Sequence, residues 1–305
     1  MKYVRQMRLH PDSRASDIIN VMRSSGVLGG GRVARAADLL KTMFEDPSYT
    51  VFLTLAGPVV PGGLKLIISD LLRSKHVDAI VSNGANITHD IIEALGCKHI
   101  QGDICADDTK LLSRAIGRIG DIYVNQKAFK MLEKTSYRII EARKKKKKSP
   151  LSVCDLLDEF GRALKDKESI LVNATKVGAP IFSPGILDSM LGLHIWTYGQ
   201  LNNFKLDVLK DMNKMADIIF DSKKIGVIIL GGGMPKHFTL GATMLKGGVD
   251  AAIQITMDRP ETGSLSGASL EEAISWKKAK VKGKLVTVIA DFTIVFPLLV
   301  SYALS

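Results

Sequence analysis

The segment "IGVIILGGGMPKH" (225–237) decides the fold. It starts as a short apolar run rich in isoleucine and valine, which is typical of a buried β-strand. Three glycines and a stretch that can begin a helix follow directly. Glycines let the backbone approach a ligand closely, and the N–H groups at a helix start attract anions. A strand, a glycine-rich loop and a helix in this order predict a ligand-binding edge of a parallel sheet.

The same alternation continues through the chain from about residue 50. The predicted strands are "TVFLTLAG", "VDAIVSNG", "GDIYVN", "APIFSP", "IGVIILGG", "DAAIQIT" and "KLVTVIAD". Helical patterns lie between them, among them "GGLKLIISDLLRS", "THDIIEALG", "KAFKMLEKTSYRIIEARKK", "KLDVLKDMNKMADIIFDSKK" and "SLEEAISWKKAK". This order predicts an α/β fold with a doubly wound, mostly parallel, Rossmann-like sheet.

The first 49 residues have a different character. They predict one helix around residues 16–24 and a second that runs through Phe44, with "GVLGGGR" between them. We interpret residues 1–49 as an N-terminal helical arm that packs on the domain or on a neighbouring subunit. Residues 50–305 then form one Rossmann-like domain.

Three segments that follow predicted strands are rich in glycine and small polar residues. They are "AGPVVPGG" (56–63), "SNGANITHD" (82–90) and "GGGMPKH" (231–237). The last lacks the third glycine of the dinucleotide fingerprint, so each segment alone is weak evidence. Since ligands bind at the carboxyl ends of strands in such sheets, the three together favour a nucleotide site over a purely structural sheet.

The net charge of +11 has a local origin, because the run from Arg143 to Lys148 supplies six positive charges in one block. Such a block is usually a solvated loop or helix end, and no RNA-binding motif with interleaved aromatic residues accompanies it. Nucleic acid is therefore an unlikely partner. The apolar runs are too short to span a bilayer and the N-terminus does not resemble a signal peptide, which predicts a cytoplasmic protein.

Three cysteines are too few for a disulfide framework, and their number is odd. Cys97, His99, Asp103 and Cys105 lie close together in the sequence but lack a C-x-x-C pair. Mixed ligand types without that pair are more often loop residues than a metal site. The sequence therefore predicts no metal.

The segment "EEAISWKKAK" (271–280) places a tryptophan among charged residues. Ser269 and Glu272 have the spacing of a capping box, and Glu272 and Trp276 are four residues apart on one helix face. A carboxylate beside an aromatic ring can hold an organic cation, although a capped helix with a half-buried Trp is the simpler interpretation. An ideal helix aligns Lys278 with Glu271 rather than with Trp276, so either the helix frays or the site wraps around its end.

Three segments, taken in order, resemble the C-terminal half of deoxyhypusine synthase. "GGGMPKH" matches the family's G-G-G-x-x-K-H loop, "ETGSLSGASLEEAISWKKAK" its G-S-x-S-G-A turn and E-A-x-S-W-x-K helix, and "VIADFTIVFPLL" its A-D-x-x-x-V-F-P-L-L ending. The resemblance extends back through "PIFSPGILDSMLG", "SNGANITHD" and "VFLTLAGPVVPGG". It covers most of the chain beyond the arm, and the compact length is similar to that of archaeal members.

The resemblance implies an activity. The family oxidises spermidine with NAD, captures the aminobutyl fragment as an imine on an active-site lysine, and transfers it to one lysine of a translation factor precursor. Its members form tetramers with sites between paired subunits. Residues 50–305 are then expected to be an NAD-binding catalytic domain of a cytoplasmic homotetramer.

The family's functional positions fall on particular residues of this chain. The imine-forming lysine corresponds to Lys278, which leaves Lys277 as a bystander, and the histidine of the glycine loop corresponds to His237. Trp276 and Glu272 correspond to the substrate wall. The positions expected to contact NAD are Gly231, Gly233, Asp188, Ser264, Ser266 and Asp291.

The chain departs from the family at acidic positions. Two aspartates that hold the polyamine are Leu193 and Leu265 here, another acidic position is Thr262, and a glutamate of the nucleotide loop is His89. Burying an ammonium group without a partner costs several kcal/mol. Either other carboxylates compensate, with Asp188, Glu271 and Glu261 as candidates, or the site accepts a donor with fewer charged nitrogens. We favour compensation, because Glu272 and Trp276 remain.

Two other functions stay open at this point. The same lysine chemistry could use a free polyamine as acceptor, as homospermidine-forming relatives do. The chain could also be a noncatalytic NAD-binding or assembly protein in which Lys278 is only a helix-end charge.

Overall fold

The computed structural model describes residues 2–146 and 150–305. Two lysines of the basic run, Lys147 and Lys148, lie outside the described residues. The chain divides into two compact units. Unit 1 contains the residues up to Leu55 together with Met215–Ser305, and unit 2 is Ala56–Lys214.

Helices and strands are numbered in chain order. The helices are α1 (Ala15–Ser25), α2 (Leu28–Glu45), α3 (Lys65–Arg73), α4 (Gly84–Ala94), α5 (Asp108–Ser113), α6 (Lys127–Lys146), α7 (Val153–Ala163), α8 (Ile170–Val177), α9 (Met190–Asn202), α10 (Lys210–Asp221), α11 (Gly233–Thr243), α12 (Glu272–Ser275) and α13 (Phe292–Ala303). The strands are β1 (Tyr49–Leu55), β2 (Ala79–Ser82), β3 (Ile100–Gln101), β4 (Ile116–Ile119), β5 (Ile122–Asn125), β6 (Ile181–Phe182), β7 (Lys224–Leu230), β8 (Val249–Thr256) and β9 (Ala279–Ile289).

Unit 1 is built on four parallel strands in the order β1-β7-β8-β9. Leu55 pairs with Leu230, Leu230 with Ile255, and Thr256 with Ile289. The central strands β7 and β8 are almost entirely buried, which explains their continuous apolar sequences. Because neighbouring strands are parallel, their carboxyl ends lie along one edge of the sheet.

The two N-terminal helices belong to unit 1. Helix α1 packs on α2 and α13, and α2 packs on α13, β8 and β9. Of the glycines in "GVLGGGR", Gly26 caps the end of α1, whereas Gly29, Gly30 and Gly31 lie inside α2. The division into an arm of residues 1–49 and a domain of residues 50–305 stays a prediction.

Unit 2 contains a parallel pair of strands and a small separate sheet. Strands β2 and β6 are parallel, with Ile80 opposite Ile181. Strands β3, β5 and β4 form an antiparallel sheet. The segment "GDIYVN" is a strand as predicted, but it is β5 of this antiparallel sheet. Its connection to β4 is only the turn at Gly120 and Asp121, and so short a connection can join only antiparallel strands.

The predicted α/β fold with a mostly parallel sheet is confirmed, since all strand pairs of the larger sheets described above are parallel. None of the helices in residues 2–146 and 150–305 has the length and apolar character that a membrane span requires.

Candidate active site

Two loops at the carboxyl edge of the unit 1 sheet are joined directly. The backbone N–H of Gly233 donates to Ser266 Oγ at 2.9 Å. A Cβ at Gly232 would lie 2.5 Å from the Cα of Ser266, so a side chain at this position would force the loops apart. Gly231 and Gly233 have φ angles of 77° and 54°, which favour glycine. The tertiary structure thus brings the glycine loop against the G-S-L-S-G turn, as the prediction of a common nucleotide site requires.

Ser264 and Asp291, two of the other residues predicted to contact NAD, have structural partners of their own. Ser264 Oγ accepts the N–H of Gly267 at 3.0 Å and so closes the turn. Asp291 caps α13, where its Oδ1 accepts the N–H of Thr293 at 2.7 Å. Asp188 belongs to unit 2, immediately before the residue that caps α9. Five of the six predicted positions therefore lie in unit 1, and their roles stay predictions.

The post-strand loops of unit 2 are also joined to each other. Asn86 Oδ1 accepts the N–H of Val60 at 3.0 Å, and Asn86 Nδ2 donates to the carbonyl oxygen of Gly57 at 2.9 Å. The side chain of Asn83 caps α4 by accepting the N–H of Asn86. A single buried amide thus ties residues 56–63 to residues 82–90, two of the three loops that the sequence singled out.

Sequence reasoning missed a buried Gln–Lys pair that supports the glycine loop. Gln254 on β8 is fully buried, and its Nε2 donates to the carbonyl oxygens of Gly231 at 3.0 Å and Ser266 at 2.7 Å. Its Oε1 accepts from Nζ of Lys236 at 2.9 Å, and the same ammonium donates to the carbonyl oxygen of Ala268 at 2.5 Å. The signal was available, because Gln254 is the one amide in the apolar run "DAAIQIT".

Lys236 is a buried lysine with a lowered pKa. It is only 5% exposed, and burial lowers its pKa to about 8, an effect that the negative charge of Glu272 opposes and the positive charge of Lys278 reinforces. Its ammonium group is held by two carbonyl-type oxygens. These bonds make Lys236 a fixed support for the loops and a poor nucleophile.

Lys236→Met is expected to change how stability depends on pH. The folded pKa of about 8 lies below the ordinary value of 10.5, so between these values the unfolded chain binds a proton that the folded chain has released. The free energy of unfolding of the unmodified protein should therefore rise relative to Lys236→Met across this range, by roughly 3 kcal/mol at most. Chemical denaturation at a series of pH values measures the difference.

Lys176→Met, at an exposed lysine on α8, is the matched control and should give a pH-independent difference. Parallel stability curves for the unmodified protein and Lys236→Met would contradict the lowered pKa of Lys236.

The segment 269–280 differs from the predicted helix. Helix α12 covers only Glu272–Ser275, and Ala279 already begins β9. The predicted cap is present in part, since Ser269 Oγ accepts the N–H of Glu272 at 3.4 Å. The helix ends because Lys277 adopts a left-handed conformation with φ of 57°. The N–H of Lys277 then donates to the carbonyl oxygen of Ile274, and that of Lys278 to Ala273, which is a Schellman-type end.

This helix end determines how Lys278 contacts Trp276. The left-handed residue reverses the chain, and Nζ of Lys278 lies 5.5 Å from the centre of the Trp276 ring. That distance is within the range of a cation–π contact. The site therefore wraps around the end of the helix, which was one of the two arrangements that the sequence left open.

The four residues predicted for catalysis and substrate contact line one cavity. Its volume is about 240 Å³, and its walls include Lys236, His237, Leu265, Glu272, Trp276 and Lys278. Trp276 is 61% exposed and Leu265 is 48% exposed, so the cavity is open on the surface of unit 1. An amine, an imidazole, an aromatic ring and a carboxylate thus meet beside the glycine loop, a set that suits amine chemistry.

Acidic groups are scarce in this cavity. Glu272 is the one acidic side chain among the described residues that line it, and Leu265 occupies the wall. Glu271 lines a separate cavity of about 420 Å³ together with Arg32 and Arg35. Leu193 lies on α9 in unit 2, where it is 48% exposed.

The residues that the sequence analysis rejected as a metal site form hydrogen bonds with other groups. His99 is bonded to Glu93 and His89, and Asp103 Oδ1 accepts the N–H of Cys105. Over residues 2–146 and 150–305, no group of three or more His, Cys, Asp or Glu side chains is placed to hold a metal ion.

Fold and cavity together define a class of protein: an α/β protein whose parallel sheet carries a glycine-rich loop beside a pocket containing a lysine, a histidine and a tryptophan. A sequence profile described as "DS: Deoxyhypusine synthase" matches residues 17–303. The chain belongs to the deoxyhypusine synthase family.

Individual relatives support this assignment. The chain is 47% identical to the "Probable deoxyhypusine synthase" of Methanothermobacter thermautotrophicus over 302 residues, which is 99% of this chain and 98% of that one. It is 42% identical to the protein of the same name from Methanopyrus kandleri, with 96% and 95% covered. A crystal structure of a deoxyhypusine synthase-type protein from Entamoeba histolytica has the same fold, with a TM-score of 0.67 at 21% identity over 95% of this chain and 93% of that chain.

Proposed function

We propose that the protein transfers the 4-aminobutyl group of spermidine to one lysine of a translation factor precursor, with NAD as cofactor. The observation that carries the proposal is the cavity in which Lys278 lies over Trp276 and shares the walls with His237 and Glu272. Family membership supports the same reaction type.

The residues at the sheet edge fit NAD. Gly231 and Gly233 have φ angles of 77° and 54°, which expose backbone at the start of α11, and the close approach of Gly232 to Ser266 keeps side chains out of the loop. Helix starts of this kind suit a pyrophosphate. Gly231, Gly233, Ser264, Ser266 and Asp291 would hold NAD, and the family resemblance adds Asp188 as a further expected contact. When bound, NAD supplies the acceptor for a hydride from the amine.

Residues of the chain then carry out proton transfer and covalent capture of the amine substrate. His237, which lines the same cavity, takes the proton that the amine loses when it is oxidised. Lys278 is the nucleophile: its amine adds to the imine carbon of the oxidised substrate, the remaining diamine leaves, and the aminobutyl group stays on Lys278 as an imine. Lys236 cannot replace it, since its ammonium group is held by Gln254 and Ala268.

Spermidine recognition depends on few groups. Glu272 can pair with one ammonium, and Trp276 offers an aromatic face of which most is accessible. Leu265 replaces a carboxylate with an apolar wall, which suits the methylene chain better than an amine. None of the three carboxylates expected to compensate, Asp188, Glu271 and Glu261, is among the described residues that line the cavity.

The assembly that we propose is a homotetramer. Large apolar side chains on α9 are exposed, with Trp196 at 56% and Leu193 at 48%, and a further copy of the chain would cover such surface. A protein acceptor also fits the open cavity, since a lysine side chain can reach Lys278 from outside. Because that acceptor takes part in translation, we propose a cytoplasmic location.

The noncatalytic alternative has less support. A lysine that serves only as a helix-end charge would lie near the last carbonyl groups of the helix. Lys278 instead follows a left-handed turn that places its ammonium group over Trp276 inside the cavity wall.

The test is NADH formation from NAD with spermidine, putrescine or agmatine under identical conditions. Spermidine should be the best donor, and addition of the translation factor precursor should lead to a mass increase of one aminobutyl group on that protein. A preference for putrescine or agmatine would mean that the lysine chemistry is shared but the family's substrate is not. Product on a free polyamine rather than on the protein would favour the homospermidine-type alternative.

A further inference from the structure

The main chain of Lys278 is held on both sides. Its N–H donates to the carbonyl oxygen of Ala273 at 2.9 Å, and its carbonyl oxygen accepts the N–H of Val249, the first residue of β8, at 3.0 Å. Thr243, which is fully buried, places its Oγ1 3.3 Å from the same oxygen. Because a lysine side chain is long and flexible, these main-chain contacts decide from which point its amine reaches the cavity.

Gly248 allows β8 to approach the main chain of Lys278 this closely. Its φ angle is 96°, and a Cβ at this position would lie 2.7 Å from the carbonyl carbon of Lys278. The same Cβ would lie 2.7 Å from the nitrogen and 2.8 Å from the Cα of Ala279. All three are main-chain atoms, so no side-chain rotation can relieve the overlap. Any side chain at Gly248 must therefore displace the main chain on one side of the contact.

The preceding glycine differs from Gly248 in this respect. Gly247 also has a left-handed conformation, with φ of 79°, but a Cβ there would meet no heavy atom of the described residues within 4 Å. Two adjacent glycines thus share the backbone conformation that disfavours a side chain. Only Gly248 adds a direct contact with the segment that carries Lys278.

This segment is attached to the sheet through few contacts. Val249 pairs with Ala279, but the ladder between β8 and β9 is then interrupted and resumes at Ala251. The ion pair of Lys280 with Asp250, at 2.7 Å, is a further attachment nearby. A shift at the first pair is therefore not resisted by a long, continuous ladder.

We propose that Gly248 is a positioning residue for covalent capture of the substrate: its lack of a side chain sets the distance between β8 and the main chain of Lys278, and thereby the position of the Lys278 amine over Trp276. The identity of the nucleophile rests on the proposed function. Gly248 does not line the cavity among the described residues, so it acts through Lys278.

The step that depends on this position is the exchange of one imine for another. A C=N bond to Lys278 replaces the C=N bond to the departing diamine, and the two protons of the Lys278 amine end on the departing nitrogen. Nothing is oxidised or reduced in this step. A misplacement of the nucleophile by about 1 Å can cost on the order of 10² in rate.

The preceding oxidation of the amine does not use the Lys278 amine. In the proposed function it needs NAD at the glycine loop and His237, which lies on α11. Displacing Lys278 should therefore separate two measurements, with capture lost and NADH formation retained. A general loss of folded protein would lower both by the same factor.

The test compares Gly248→Ala with Gly247→Ala, its matched control, in the presence of NAD, spermidine and borohydride. Gly248→Ala should lower the aminobutyl mass trapped on Lys278 on the order of 10²-fold while the first turnover of NADH stays near the wild-type rate. Gly247→Ala should leave both near wild type. Trapping at the wild-type level in Gly248→Ala, an equal loss of both readouts, or the same loss of trapping in Gly247→Ala would overturn the proposal.

A second readout requires no activity. The chain has two tryptophans, so Trp196→Phe leaves Trp276 as the single fluorophore, and Nζ of Lys278 lies 5.5 Å from its ring centre. In this background the emission of Gly248→Ala should match that of Lys278→Met, whereas Gly247→Ala should match the parent. Parent-like emission of Gly248→Ala would overturn the proposal. If the unmodified protein forms no NADH from any amine, the proposed function fails, and the emission alone decides whether Gly248 positions Lys278.

Hydrogen exchange of the unmodified protein decides the matter if Gly248→Ala does not fold. The amide of Val249, whose acceptor is the carbonyl oxygen of Lys278, should be as protected as the amides of the buried strand β7. Exchange of Val249 through local opening would mean that β8 does not hold the main chain of Lys278, and would overturn the proposal.

Discussion

Lys278→Arg is expected to abolish covalent capture of the aminobutyl group and to lower transfer to the protein acceptor on the order of 10³-fold or more. Arginine keeps the positive charge over Trp276 but does not lose its proton in proteins, so it cannot attack an imine carbon. Incubation with NAD, spermidine and borohydride, followed by peptide mass mapping, measures the loss. In the unmodified protein the added mass should lie on the peptide and residue of Lys278.

Lys277→Arg is the matched control, because it changes the adjacent lysine in the same way. Lys277 forms the left-handed turn, and its side chain is exposed, so arginine at this position should leave capture intact. Added mass on Lys277 or on Lys236 in the unmodified protein would show that Lys278 is not the nucleophile. For Lys236 that outcome would also mean that its bonds to Gln254 and Ala268 do not persist in solution.

His237→Ala is expected to lower the rate of NADH formation by roughly 10²–10⁴-fold while affinity for NAD stays near that of the unmodified protein. His237 lies on α11 and lines the cavity with Lys278, whereas in the proposed function the glycine loop would hold the dinucleotide through its backbone. Removing the imidazole therefore removes a proton acceptor without removing the nucleotide contacts. Stopped-flow measurement of NADH and a separate NAD titration distinguish the two effects.

His10→Ala, at an exposed histidine near the N-terminus, should change neither quantity. NADH formation at the wild-type rate in His237→Ala would rule out the proton-transfer role. A large loss of NAD affinity with an unchanged rate at saturating NAD would instead make His237 a cofactor-binding residue.

The parallel sheet could be predicted because it depends on apolar patterns within short segments of the sequence. Strands β7 and β8 are buried on both faces, so a continuous apolar run followed by glycine reports directly on their environment. The segment "GDIYVN" predicts a strand, but its antiparallel pairing cannot be inferred from this segment alone. The two-residue connection to β4, which decides the direction of pairing, is a property of both strands.

The end of α12 shows where helical periodicity fails. The pattern of "SLEEAISWKKAK" favours a helix throughout, yet the helix stops at Ser275. Lys277 takes up a left-handed conformation that costs a non-glycine residue of the order of 1 kcal/mol, and pairing of Ala279 with Val249 in the sheet offsets this cost. A tertiary contact therefore overrides a local preference and brings Lys278 over Trp276.

The residues that share the cavity were identified through short motifs, because Lys278, His237, Trp276 and Glu272 lie in segments whose spacing is characteristic of the family. The supporting residues were missed. Gln254 and Lys236 act through buried hydrogen bonds to Gly231, Ser266 and Ala268, which are distant in sequence. No pattern in one segment specifies which carbonyl groups such a side chain will meet.

The sequence by itself determined the alternation of strands and helices, the glycine loop and the types of functional group, since each depends on residues that are neighbours in the chain. The tertiary structure alone decided which groups act together. It placed Lys278 over Trp276 through the turn at Lys277, buried Lys236 against Gln254, and linked His89 to Glu93 through His99. Burial and fixed distances set these interactions, because a charge or a hydrogen bond gains its strength from the water that the fold excludes.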